Sequence, residues 1–159
     1  MIDTRKIQLN ESIVIDTTVD IAMPKGFEAT DTAVSVVGKL KNTGSNAFAL
    51  DAMAECRLEL ACSLCLQPVA QRLSFHINEN YAEAQDAADE DIAFSDYTID
   101  IYPAVQRNLF LNIPMKPLCD DDCAGLCPQC GTNLNKTDCN CEGDIVNEQF
   151  RDLLQMFED

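Results

Sequence analysis

A chain of 159 residues, 47% of them hydrophobic, is long enough for one complete core and a small appendage. Its formal charge of -16, from 27 acidic against 11 basic residues, argues against a surface built to attract phosphate. No stretch nears the roughly 20 apolar residues that cross a bilayer, and no apolar run follows a basic N-terminus, so a cytoplasmic protein without a membrane span is expected.

In chain order, Ser12 to Ala22 alternates apolar and polar positions at Ile13, Ile15, Val19 and Ile21, the period-2 pattern of a half-buried strand, and Met23-Pro24-Lys25-Gly26 breaks it. TAVSVVGKLK, the turn cluster Asn42 to Asn46 and AFALDAMAECRLEL predict a hairpin. VAQRLSFHINENY, alternating at Val69, Leu73, Phe75 and Ile77, predicts a further strand beside the third, so that the loop between them carries Cys62 and Cys65. Residues 83–96 hold six acids and no base and read as a solvated loop. YTIDIYP reads as a short strand. A helix is expected over 103–112, opened by Pro103 and stopped by Pro114, with Val105, Leu109 and Phe110 toward the core. A last amphipathic helix, capped by Asp144, places Val146, Phe150, Leu153, Leu154 and Phe157 at helical spacing.

Nine cysteines in a reducing compartment are poor material for a disulfide framework, and their close spacing favours metal. Cys127-Pro-Gln-Cys130-Gly131 has the form of a zinc knuckle, in which the glycine lets the backbone turn and aim amides at the sulfurs. Cys139-Asn-Cys141 supplies a second pair after eight residues. Cys119 and Cys123 need two more ligands. Either they join Cys62 and Cys65 in a second site that ties the sheet to the C-terminal module, or they join Cys127 and Cys130 and leave Cys139 and Cys141 spare. Cys56, on an alternating strand face, reads as a small apolar core residue. His76 reads as structural or solvated, and no phosphate loop, nucleophile elbow or paired-acid motif appears, so no enzymatic activity is expected. A different class of function would use Cys62 and Cys65 as a thiol redox or zinc-sensing pair; β runs on both sides, in place of a βαβ pattern, argue against a thioredoxin-like arrangement.

Three segments together resemble the YceD family of large ribosomal RNA subunit accumulation proteins: LACSLCLQPV at 60–69, DIYPAVQRNLFLNIPMKPLC at 100–119 and CAGLCPQCGTNLNKTDCNC at 123–141. The resemblance covers roughly residues 45–145, and it implies a non-enzymatic role in the synthesis, processing or stability of 23S rRNA. Cys62, Cys65, Cys119, Cys123, Cys127, Cys130, Cys139 and Cys141 match the family's cysteine pattern, and Pro114 its helix-ending turn. Leu64 stands where the family often carries a basic residue, which argues against this loop gripping phosphate.

The expected architecture is α+β: a β-rich domain over residues 1–117, built on an antiparallel sheet or partly closed barrel, and a zinc module with a C-terminal amphipathic helix over 118–159. One or two zinc ions are expected. The excess of negative charge points to a basic ribosomal protein or a pre-large-subunit particle as partner, in preference to direct RNA contact.

Overall fold

The computed structural model describes residues 1–23 and 32–141. The predicted helix over 144–157 and the Pro24–Gly26 break lie outside them. The chain forms two compact units, one of residues 1–60 with 69–115 and one of 61–68 with 116–159. The loop carrying Cys62 and Cys65 therefore groups with the C-terminal segment.

The first unit is built on a five-stranded sheet of β2 (Ser12–Asp20), β3 (Ala33–Gly44), β4 (Ala47–Ala61), β5 (Pro68–Glu83) and β6 (Ile92–Phe94), ordered β2-β3-β4-β5-β6. Alternation dictates which face is buried. Along β4 the side chains of Phe48, Leu50, Ala52, Ala54, Cys56, Leu58 and Leu60 are buried, while Asp51, Met53, Glu55, Arg57 and Glu59 are exposed. Val34, Val36 and Leu40 of β3 and Phe75, Ile77 and Tyr81 of β5 complete the same core. Cys56 is thus a core residue, as its place in the alternation predicts. Gly38, opposite Ala52, is required by close approach: a Cβ there would stand 2.3 Å from the Asp51 carbonyl oxygen and 2.4 Å from Ala52 Cα. The β3–β4 turn places Ser45 and Asn46 at φ 51° and 55°, the left-handed pair that a two-residue hairpin needs.

The sheet departs from the expected antiparallel form in one respect. β2–β3 and β3–β4 are antiparallel, but β6 runs parallel to β5, so the sheet is mixed. Among the described residues the sheet is open, with β2 and β6 as its edges, which is the sheet alternative of the expectation. The acidic stretch 83–96 hides β6: Phe94 is buried and packs edge-on against Phe48, with ring centroids 5.7 Å apart. Six acids in the window masked an apolar-small-apolar triplet. The strand expected from YTIDIYP shrinks to β7 (Thr98–Ile99), paired antiparallel with β1 (Ile2–Asp3), which the sequence pattern does not disclose.

One helix, α1 (Tyr102–Asn112), follows. Pro103 sits in its first turn, and Ile113 ends it in an extended conformation (φ -65°, ψ 126°) of the kind a following proline imposes. Ala104, Val105 and Leu109 are buried. Phe110 is instead 37% exposed: at about 100° per residue it stands far round the helix from Val105. Glu79, on the inward face of β5, is paired with Arg107 of α1, and Asn108 Nδ2 donates to it at 2.7 Å. No helix among the described residues is long and apolar enough to cross a membrane. His76 is exposed, 2.8 Å from Asp51 Oδ1.

Candidate metal centres

Among the described residues of the second unit, 61–68 and 116–141, the buried side chains are those of Cys62, Cys65, Cys123 and Cys127. Cys62, Cys65, Cys119 and Cys123 form one quartet, and Cys127, Cys130, Cys139 and Cys141 a second; within each, all four Sγ atoms lie within 4.8 Å of one another. Cys119 and Cys123 therefore lie with Cys62 and Cys65, and Cys139 and Cys141 are not spare.

Both quartets are built on the same local turn. The Cys62 N–H donates to the Gln67 carbonyl at 2.8 Å, and the Leu66 N–H donates to the Cys62 carbonyl at 2.9 Å. In the second, the Cys127 N–H donates to the Thr132 carbonyl at 2.8 Å, and the Gly131 N–H donates to the Cys127 carbonyl at 2.9 Å. Each turn needs a left-handed residue directly after its second cysteine. Gly131 supplies it at φ 72° without a steric cost, while Leu66 adopts φ 60° with a side chain. Cys123 follows a tight local turn that its own N–H closes on the Asp120 carbonyl at 3.2 Å.

These turns aim backbone donors at particular sulfurs. The N–H groups of Cys65, and then of Leu64 and Cys119, hold the Cys62 thiol down at about 6. Those of Cys130 and Gln129 likewise lower Cys127. The Thr132 hydroxyl, 3.1 Å from Cys130 Sγ, and the Thr132 N–H bring Cys130 to about 6. Neighbouring thiols are raised by their hydrogen bonds to other sulfurs. Cys119 is pushed up to about 12 by its hydrogen bonds to Cys123 and Cys65, and Cys141 to about 12 by its hydrogen bond to Cys130 and by burial. Cys139 is also raised: the Cys141 N–H favours its thiolate, but its proton is shared with Cys127. Four crowded thiols cannot all ionise without a cation to offset their charge.

The donor set fits a tetrahedral metal ion. Zinc-to-sulfur bonds of about 2.3 Å place tetrahedral sulfurs about 3.8 Å apart. Cys62 and Cys123 Sγ are 3.9 Å apart, and Cys65 and Cys119 Sγ 3.5 Å. Both groups could hold a metal ion. They differ in setting: Cys62, Cys65 and Cys123 are buried with only Cys119 exposed, whereas Cys130 and Cys141 are exposed, Cys139 is intermediate and Cys127 alone is buried.

Two further polar groups touch sulfur. Thr132 was legible in principle, since it follows the knuckle glycine. Asn135 was not: its Nδ2 lies 3.3 Å from Cys123 Sγ, and only the fold brings the two together.

An open β-sheet unit joined to a module of two four-cysteine sites defines the class of protein. A family model described as large ribosomal RNA subunit accumulation protein YceD matches residues 50–157, and the chain belongs to this family. Among its relatives, an uncharacterised protein of Mycobacterium bovis is 37% identical over 79 residues, 46% of this chain and 38% of its own length. One from Mycobacterium leprae is 32% identical over 79 residues, 46% of this chain and 36% of its own. The chloroplastic large ribosomal RNA subunit accumulation protein YCED homolog 1 of Arabidopsis thaliana is 42% identical over 43 residues, 27% of this chain and 13% of its own. The chain thus spans well under half the length of each of these relatives. No solved structure gives a significant match.

Proposed function

We propose that the chain is a non-enzymatic factor of ribosome biogenesis that supports synthesis, processing or stability of 23S rRNA and so the accumulation of large subunits. The observation that carries this is the YceD match, which spans both cysteine quartets. Zinc is the metal proposed for them, because eight thiolate donors in two tetrahedral sets suit a soft, redox-inert ion that closes a small fold. Cys62, Cys65, Cys119 and Cys123 would hold one ion and Cys127, Cys130, Cys139 and Cys141 the other. Zinc would supply structure there and no reaction step. Membership of Cys62 and Cys65 in a quartet favours this role over a two-thiol redox pair.

The proposed partner in the cytoplasm is a basic ribosomal protein, alone or within a pre-large-subunit particle. A charge of -16 favours fast encounter with a cationic partner and disfavours naked RNA. Depletion of the protein is expected to lower 23S relative to 16S rRNA and to shrink the large-subunit peak on a sucrose gradient. Wild-type protein restores both, and Cys127→Ser does not. An unchanged profile would contradict the ribosomal role. Retrieval of 23S fragments, with no ribosomal protein, at physiological salt would contradict the choice of partner.

A further inference from the structure

One loop runs between the two quartets. Residues 131–138 join Cys130 to Cys139, so both ends of this loop are anchored in the exposed quartet. The loop lies along the segment that carries Cys123: Leu126 bridges Asn133, and the Leu134 N–H donates to the Gly125 carbonyl at 2.9 Å. Asn135 projects from the loop onto the other quartet. Its Oδ1 accepts from the Ala124 N–H at 2.8 Å, and this donor dictates which way the amide faces. Its Nδ2 must then face away from Ala124, where it reaches Cys123 Sγ at 3.3 Å and Asn133 Oδ1 at 2.9 Å.

We propose that Asn135 couples the two metal sites: held in place by the exposed quartet, it donates a hydrogen bond to the Cys123 thiolate and thereby tightens the buried quartet's hold on its ion. The proposal rests on the metal reading given above. Asn135 is a positioning residue, since it touches a ligand sulfur and not the ion. A donor to a ligating thiolate spreads the charge of the tetrathiolate set and fixes the orientation of the sulfur, and loss of such a partner costs about 10- to 100-fold in metal affinity. When the exposed quartet empties, the loop loses both anchors and the Asn135 amide leaves Cys123. Loading of either site then favours loading of the other, because the linkage is reciprocal.

The test is chelator competition on the zinc-loaded full chain, with ions counted by native mass spectrometry and the emptied site identified by alkylation of its cysteines. Asn135→Asp keeps the acceptor for the Ala124 N–H and removes the donor to sulfur; Asn135→Ala removes both. Both variants are expected to release the ion of Cys62, Cys65, Cys119 and Cys123 at about 10- to 100-fold lower chelator. The intrinsic affinity of the exposed quartet, measured in a Cys62→Ser background, should not change. The double variant Cys139→Ser with Cys141→Ser is expected to weaken the buried quartet by the same factor, and adding Asn135→Asp to it should weaken that site no further. Wild-type retention in Asn135→Asp, or additive losses in the combined variant, would overturn the coupling. A wild-type chain that binds no ion would instead overturn the metal reading with it, so the two failures are told apart by the wild-type count.

Discussion

The two cysteine quartets share four thiols, a Cys-X-X-Cys turn and a matching pair of backbone hydrogen bonds, yet three of the four cysteines are buried in one and one of four in the other. Identical donor chemistry in unlike settings separates what the ligands contribute from what their surroundings do. The backbone N–H groups of the turns lower Cys62 and Cys127. Burial then governs how readily water, chelators and electrophiles reach them. The buried quartet is suited to lasting structure, and the exposed one to exchange.

The largest difference should come from breaking each site in turn. Structural zinc binding in small domains is worth about 10–16 kcal/mol near neutral pH. Cys62→Ser should lose one ion and hydrogen-exchange protection across 61–68 and 119–123, while Cys141→Ser loses one ion and leaves protection around Cys62 to Cys65. Equal loss of protection in both variants would show the quartets to be a single unit.

Thiol reactivity sharpens the contrast. Cys62 and Cys130 are both held at about 6, yet Cys62 is fully buried and Cys130 is exposed. In metal-free protein near neutral pH, iodoacetamide should modify Cys130 on the order of tenfold faster or more than Cys62. Comparable rates would mean that exposure does not distinguish the two sites.

A smaller effect is expected from the twin turns. Leu66 carries a side chain at φ 60°, where an L-residue loses about 1–2 kcal/mol relative to the right-handed region. Leu66→Gly should therefore stabilise the zinc-loaded protein by up to about 1 kcal/mol, once the added chain entropy of glycine is set against the relieved strain. Gly131→Ala should destabilise by about 1 kcal/mol or more. Denaturant midpoints of the two variants that shift in the same direction would contradict the equivalence of the turns.

A further contrast is in pH dependence without metal. Cys62 and Cys130, lowered from 9.0 to about 6, stabilise the fold fully above pH 9 and lose this as pH falls through 6. Cys119 and Cys141, raised to about 12, act in the opposite sense: their contribution is full below pH 9 and is lost as pH rises toward 12. Stability of the metal-free second unit should therefore rise from pH 6 to 9 and fall above it, as read by denaturant titration. A flat profile would contradict these assignments.

Legibility in the sequence follows the range of the interaction. The alternation along β4 and the proline-bounded helix α1 are local patterns, and both appear in the fold. The Cys127 knuckle is equally local. The parallel pairing of β5 with β6 and the β1–β7 pair depend on partners far along the chain, and the six acids around Ile92 and Phe94 conceal the strand they form. For the cysteines, spacing alone left open which pairs Cys119 and Cys123 would join, because 54 and 61 residues separate them from Cys65 and Cys62. Asn135 had no signal at all: nothing in a run of Asn, Leu and Lys marks a donor to a sulfur 12 residues away.

The central claim is that the chain holds two zinc ions, one in each quartet, with unequal access. Native mass spectrometry of the protein purified without added metal, followed by timed chelation and alkylation, tests it most directly. Two zinc ions are expected, the first lost exposing Cys127, Cys130, Cys139 and Cys141 to alkylation while Cys62, Cys65, Cys119 and Cys123 stay protected. A single ion, or alkylation of the buried quartet first, would contradict the claim.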